Sequence, residues 1–126
     1  MKYLLDTQVF LWYVADSRKL PSGARQRIAD AEEVFVSAAS IWEASIKAAI
    51  GKLDVDVEVL AGEIEGNGFA ELPVTARHAA GVAALPRHHG DPFDRLLIAQ
   101  AMHEPLHLLT SDAALVAYSE LVIAIS

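Results

Sequence analysis

Four acidic residues far apart in the chain, Asp6, Glu43, Asp94 and Asp112, sit beside apolar runs and at or near the starts of helix-forming segments. Carboxylates brought close together raise one another's pKa unless a cation intervenes. An all-oxygen ligand set suits Mg²⁺ or Mn²⁺ rather than zinc. Such an ion keeps waters and open positions for a phosphate, and supports in-line attack of water on phosphorus. The chemistry implied is metal-assisted hydrolysis of a phosphodiester. Each residue also has a plainer reading. Asp6 can cap the helix after it, and Ser40 and Glu43 form an S-x-x-E capping pattern. Asp91 can be an N-cap, with Pro92 at the first helical position and Asp94 favoured by the helix dipole. Thr110 or Ser111 can cap the segment that carries Asp112. The chemical reading therefore depends on whether the fold collects these side chains.

The elements that must do so are legible as alternating apolar runs and helical patterns. KYLL (2–5), VFVS (34–37), FAELPV (69–74, cut short by Pro73), LHLLT (106–110) and LVIAI (121–125) read as strands. Helices are predicted over 7–15, 22–33, 38–50, 55–68, 75–86, 92–103 and 112–118, with Gly51 as the residue closing the third. Alternation of this kind, with continuously apolar strands, predicts an α/β fold in three layers, α/β/α, around a central, mainly parallel sheet. Functional sites in such sheets lie beyond the carboxyl ends of the strands, at a topological switch point. Asp6 follows the first strand and Asp112 the fourth, while Glu43 lies in the first turns of the helix after the second. Asp94 opens the helix that leads into the fourth strand, so its end of that helix is expected beside the other three.

Composition narrows the function classes. The chain of 126 residues fits a single domain spanning 1–126, and 53% hydrophobic residues can fill one core. Cysteine is absent, which excludes disulfides, zinc–thiolate sites and thiol nucleophiles. No apolar run reaches the roughly 18 residues of a membrane helix, and Asp6 arrives too early for a signal peptide. A cytoplasmic protein with no membrane partner is expected. The net charge of −7 argues against nucleic-acid binding through a general basic field. It leaves room for a local basic rim, and for a basic segment of a partner protein.

The stretches LLDTQVFLW with Asp6, SAASIWEASIK with Glu43, DPFDRLLIAQA with Asp94 and LLTSDAAL with Asp112 together resemble a PIN domain. The resemblance is to the VapC type, the ribonuclease toxin of type II toxin–antitoxin systems, and it covers nearly the whole chain. It implies the α/β/α fold, a Mg²⁺- or Mn²⁺-dependent endoribonuclease, a homodimer, and a VapB antitoxin whose C-terminal segment covers the active site. Asp6, Glu43 and Asp94 match the family's three core acids, and Asp112 matches the more variable fourth. Thr110 matches a small polar residue beside it. Asp91 is a further carboxylate shared by a subset, expected mainly as a helix cap that can bind a metal-ligated water.

Around this set, Arg87, His88, His89 and Arg95 are candidates for RNA phosphate contacts, with Arg95 alternatively pairing with a carboxylate. Lys47 is expected as a solvated i, i+4 partner of Glu43. Trp12 and Trp42 can stack on bases, although core or dimer packing suits them better. HEPLH (103–107) matches H-E-x-x-H formally, but Pro105 forbids the helix that the zinc motif needs. His103 is then a cation at a helix C-terminus. DVDVE (54–58) lacks the glycine and the terminal glutamate of a calcium loop. A different class remains beside the nuclease: a catalytically silent module whose acidic pocket receives a basic segment.

Overall fold

The computed structural model describes residues 1–88 and 90–126; His89 lies outside the described residues. The elements follow in the order β1 (Lys2–Leu5), α1 (Thr7–Val14), α2 (Ser22–Ala29), β2 (Glu33–Ser37), α3 (Ala38–Ala49), α4 (Val57–Gly66), β3 (Ala70–Leu72), α5 (Ala76–Gly81), α6 (Pro92–His103), β4 (His107–Thr110) and β5 (Val122–Ala124). Two 3-10 turns, Val82–Ala84 and Ala113–Tyr118, complete the list. The strands form one sheet in the order β3-β2-β1-β4-β5, and every neighbouring pair is parallel. The three-layer α/β/α architecture read from the alternation is thus what the chain adopts.

Side chains alternate across the pleat, which explains why both faces of the sheet are apolar. Tyr3 and Leu5 of β1, Val34 and Val36 of β2 and Leu109 of β4 pack with Val9, Phe10, Ala24, Ile28, Ala44, Leu60 and Ile64 from α1 to α4. Leu4 and Leu108, their neighbours along the same strands, point the other way. They pack with Leu97 and Ile98 of α6 and with Leu115 of the second 3-10 turn. Gly51, at φ +75°, closes the chain after α3, a conformation that costs a residue with a Cβ far more.

Three helices differ from expectation. The helix predicted over 22–33 stops at Ala29, because β2 must already pair with β1 at Lys2↔Glu33 and the Glu32 N–H donates to the Met1 carbonyl. The helix predicted over 75–86 ends as α5 at Gly81 and tightens to 3-10 over Val82–Ala84. Pro86 has no N–H to give and its ring would clash with the Val82 carbonyl in an α-helix; that carbonyl instead accepts from Arg95 Nη2 at 3.2 Å. The segment after β4 is 3-10 rather than α-helical. Among the described residues, no helix is long and apolar enough to cross a membrane.

Candidate active site

The strand order carries the chain from β1 out to β2 and β3, and then back to β4 on the opposite side of β1. The switch point is therefore the crevice at the carboxyl ends of β1 and β4. Leu5 pairs with Leu109, and the Asp6 N–H extends that ladder to the Leu109 carbonyl at 2.9 Å. Asp6 thus emerges directly beside Thr110. Its Oδ2 accepts from the Thr110 hydroxyl (2.6 Å) and from the Ser111 N–H (2.9 Å), and its Oδ1 accepts from the Val9 N–H (2.7 Å) as the N-cap of α1. Burial pushes the Asp6 carboxyl above its ordinary pKa of 3.8, and the charge of Glu43 adds to the rise. The hydrogen bonds from Thr110, Val9 and Ser111 act in the opposite sense.

Glu43 enters from α3, which is capped by Ser37 rather than Ser40: the Ser37 hydroxyl accepts from the Ala39 N–H at 3.0 Å. The S-x-x-E capping pattern is therefore unused, and Ser40 and Glu43 are turned to other work. The Thr7 hydroxyl donates to Glu43 Oε1 at 2.7 Å and lies 2.9 Å from the Ser40 hydroxyl. Lys47 Nζ donates to Glu43 Oε2 at 2.8 Å. Asp91 is the N-cap of α6, accepting from the N–H groups of Phe93 (2.8 Å) and Asp94 (3.2 Å), with Pro92 in the first helical position. Asp112 caps the 3-10 turn after β4 by accepting from Ala114 N–H at 3.0 Å.

Asp6, Glu43, Asp91, Asp94 and Asp112 all line one cavity of about 170 Å³, together with Thr7, Gln8, Leu11, Lys47 and Ser111. Capping and site membership are therefore not alternatives. An N-cap sits at a helix start, and helix starts lie at the carboxyl ends of parallel strands, so one carboxylate serves both.

A PIN domain family model matches residues 3–121. The chain belongs to the PIN domain family. Its sequence is 32% identical over 114 residues to Ribonuclease VapC22 of Mycobacterium tuberculosis, covering 89% of this chain and 88% of that protein. Its fold is similar to VapBC2 from Rickettsia felis, solved bound to a promoter DNA fragment, with a TM-score of 0.72, 13% identity and full coverage of both chains. It is also similar to a toxin–antitoxin complex from Klebsiella pneumoniae, with a TM-score of 0.68 and 17% identity over 96% of this chain and 95% of that one. The resemblance drawn from the four acidic motifs is thereby confirmed at the level of family and fold.

The remaining sequence candidates of this PIN domain fall in three places. Arg87, His88 and Arg95, with Gly90, line a second cavity of about 370 Å³. Arg95 spends its guanidinium on the carbonyls of Pro86 (2.9 Å), Val82 and Leu85 and on the Tyr118 hydroxyl, so it staples the 82–86 segment onto α6. The His88 ring meets Tyr118 edge-on, with centroids 5.0 Å apart. Trp12 packs against the core, whereas Trp42 is 61% exposed and touches Phe93 edge-on. His103 and His107 do not share a helix, because α6 ends at His103 and His107 opens β4.

Lys47 is the i, i+4 partner of Glu43 that its spacing predicts, with its side chain about half exposed. It lines the acidic cavity, and the carboxylate it holds is buried. The signal was its i, i+4 spacing from Glu43, but spacing alone does not say which face of α3 is covered. Thr7 escaped the sequence reading, and Ser40 and Ser111 entered it only as capping candidates, because a hydroxyl or backbone N–H becomes a site group only through its partner.

His78, His103 and Glu104 form a cluster of potential ligands away from this cavity. Thr75 N–H donates to His78 Nδ1 at 3.0 Å, which puts the ring proton on Nε2, where it is donated to Glu104 Oε2 at 2.5 Å. A metal would need the Nε2 lone pair, which this tautomer does not offer. The cluster is a lock between α5 and the end of α6.

The raised pKa of Asp6 has a consequence for the metal-free fold. Its folded value lies above the ordinary 3.8, so the stability it contributes is complete below the ordinary value and is lost as pH rises through the folded one. Thermal unfolding in EDTA between about pH 4 and about pH 7 should show wild type losing stability relative to Asp6→Asn as pH rises. Parallel curves for the two proteins would contradict this.

Proposed function

We propose that this PIN domain is a Mg²⁺- or Mn²⁺-dependent endoribonuclease of the VapC type, the toxin of a VapBC pair. The observation that carries the reading is the convergence of five carboxylates, from four separate parts of the chain, on one cavity at the switch point of the sheet. The donor set is oxygen only, and Asp6 is a buried acid facing the charge of Glu43, an arrangement that a hard divalent ion relieves. The residues present thus fit such an ion. The 32%-identical relative, named a ribonuclease, favours this reading over a silent binding module.

In this reading Asp6, Asp94 and Asp112 hold the ion, directly or through water. When bound, it supplies positive charge at the phosphate and an acidified water for in-line attack on phosphorus. Thr110 and the Ser111 N–H fix Asp6 in place. Glu43, held by Thr7, ligates a metal or orients the attacking water. Asp91 anchors the start of α6 and so the position of Asp94. Arg87 and His88, with Arg95 shaping their cavity, take RNA phosphates beyond the cut. The partners that follow are RNA, a second copy of the chain in a homodimer, and a VapB-type antitoxin, all in the cytoplasm. The solved toxin–antitoxin complexes of similar fold support that partner class.

The direct test is cleavage of RNA by the purified chain. Activity should vanish in EDTA and return when Mg²⁺ or Mn²⁺ is added in excess. Cleavage that is indifferent to EDTA, or none with any divalent ion, would overturn the reading.

A further inference from the structure

We propose that Lys47 is a built-in cation of this site: paired with Glu43 on the cavity wall, it binds a non-bridging oxygen of the scissile phosphodiester. A divalent ion is then needed only on Asp6, Asp94 and Asp112. The inference rests on the nuclease reading and goes beyond it by assigning a phosphate ligand.

Ordinary i, i+4 pairs on a helix surface join two solvated groups and contribute little. This pair is different. The Glu43 side chain is 9% exposed and that of Lys47 is 47% exposed, so the carboxylate is sequestered while the ammonium opens on the cavity. Both Glu43 oxygens are engaged, Oε1 by the Thr7 hydroxyl and Oε2 by Lys47. An ammonium carries three N–H donors, and Glu43 takes one of them. The others are available to an incoming ligand.

The ligand must be an anion that the cavity would otherwise repel. Five carboxylates line it, and among the described residues Lys47 is the one cationic side chain on its wall. Its ammonium also feels the charges of Asp91 and Asp94 on the neighbouring helix. A phosphodiester entering between the acids therefore meets attraction both from a divalent ion, when one is bound, and from Lys47. A fixed positive charge aimed at the phosphoryl oxygens stabilises the negative charge that grows there during displacement. Repulsion between the ammonium and a divalent ion keeps that ion away from Glu43 Oε2.

The test compares wild type, Lys47→Met and Lys47→Arg in two assays. One is Mn²⁺ binding by calorimetry without RNA, and the other is steady-state cleavage of a fluorogenic single-stranded RNA at saturating Mn²⁺. Thermal unfolding checks that each variant is folded. Lys47→Met should bind Mn²⁺ about three- to tenfold more tightly, because a nearby positive charge is gone. It should nevertheless cleave about a hundredfold more slowly, and Lys47→Arg should recover most of that loss. Unchanged cleavage by Lys47→Met would overturn the proposal. So would weaker Mn²⁺ binding together with slower cleavage, since Lys47 would then only prop a Glu43 metal ligand. A wild-type chain that neither binds Mn²⁺ nor cleaves RNA would instead overturn the nuclease reading itself.

Discussion

Asp94→Asn is expected to lower Mg²⁺-dependent RNA cleavage by about a thousandfold, which is about 4 kcal/mol of transition-state stabilisation, while leaving the fold intact. Asn keeps the shape of Asp but removes the charge proposed to hold a divalent ion. The helix start survives, because its cap is Asp91, whose Oδ1 accepts from the N–H groups of Phe93 and Asp94. Asp6→Asn should abolish cleavage to a similar degree, with a structural penalty that Asp94→Asn avoids. Both Asp6 oxygens accept hydrogen bonds, from Val9 on one side and from Thr110 and Ser111 on the other. An amide must turn its NH₂ toward one of those backbone donors. Cleavage kinetics, Mn²⁺ calorimetry and thermal unfolding on the same preparations separate the two effects. Wild-type cleavage by both variants would remove these acids from the chemistry.

The second large effect is on stability. His78→Ala should destabilise the protein by about 3 kcal/mol, a sizeable part of the ~5–15 kcal/mol that holds a typical domain folded. The ring is 1% exposed, and it closes a capping box with Thr75 while donating to Glu104. Its loss leaves the Thr75 N–H without its acceptor, frees Glu104, and opens a void between α5 and α6. Urea unfolding measures the change, and any stabilisation by added Zn²⁺, through the acidic cavity, should be equal in the two proteins. Zinc protection of wild type that is absent from His78→Ala would show a metal site where we place a lock.

Much of the fold was legible because a parallel sheet covered on both faces needs continuously apolar strands. Each of the five predicted runs coincides with a strand of the sheet to within one or two residues at either end. Errors fell where a distant contact ends a helix. Pro86 is visible in the sequence, but the reach of Arg95 to the Val82 carbonyl is not. The early end of α2 likewise depends on pairing with β1, which begins at Lys2↔Glu33. For the site, the acids were legible as carboxylates at the ends of apolar runs. The hydroxyls that hold them were less so: Thr110 was a cap candidate that became a site residue only through the family resemblance, Ser40 was read only as a cap, and Thr7 not at all.

Residue order alone determined which segments could be strands, and that helix starts and acids would share one edge of the sheet as an all-oxygen set of the kind that suits a hard cation. Tertiary structure decided the rest. Placing β4 beside β1 brings the Thr110 hydroxyl to Asp6 across 104 positions of sequence. Packing α3 against α1 buries Glu43 under Thr7 and leaves Lys47 as the cation of an acidic cavity. Local pattern reports what a side chain is and which face it shares with its near neighbours. Its charge environment is set by groups that only chain crossing brings within a few ångströms, because Coulomb and hydrogen-bond energies depend on distance in space rather than on position along the chain.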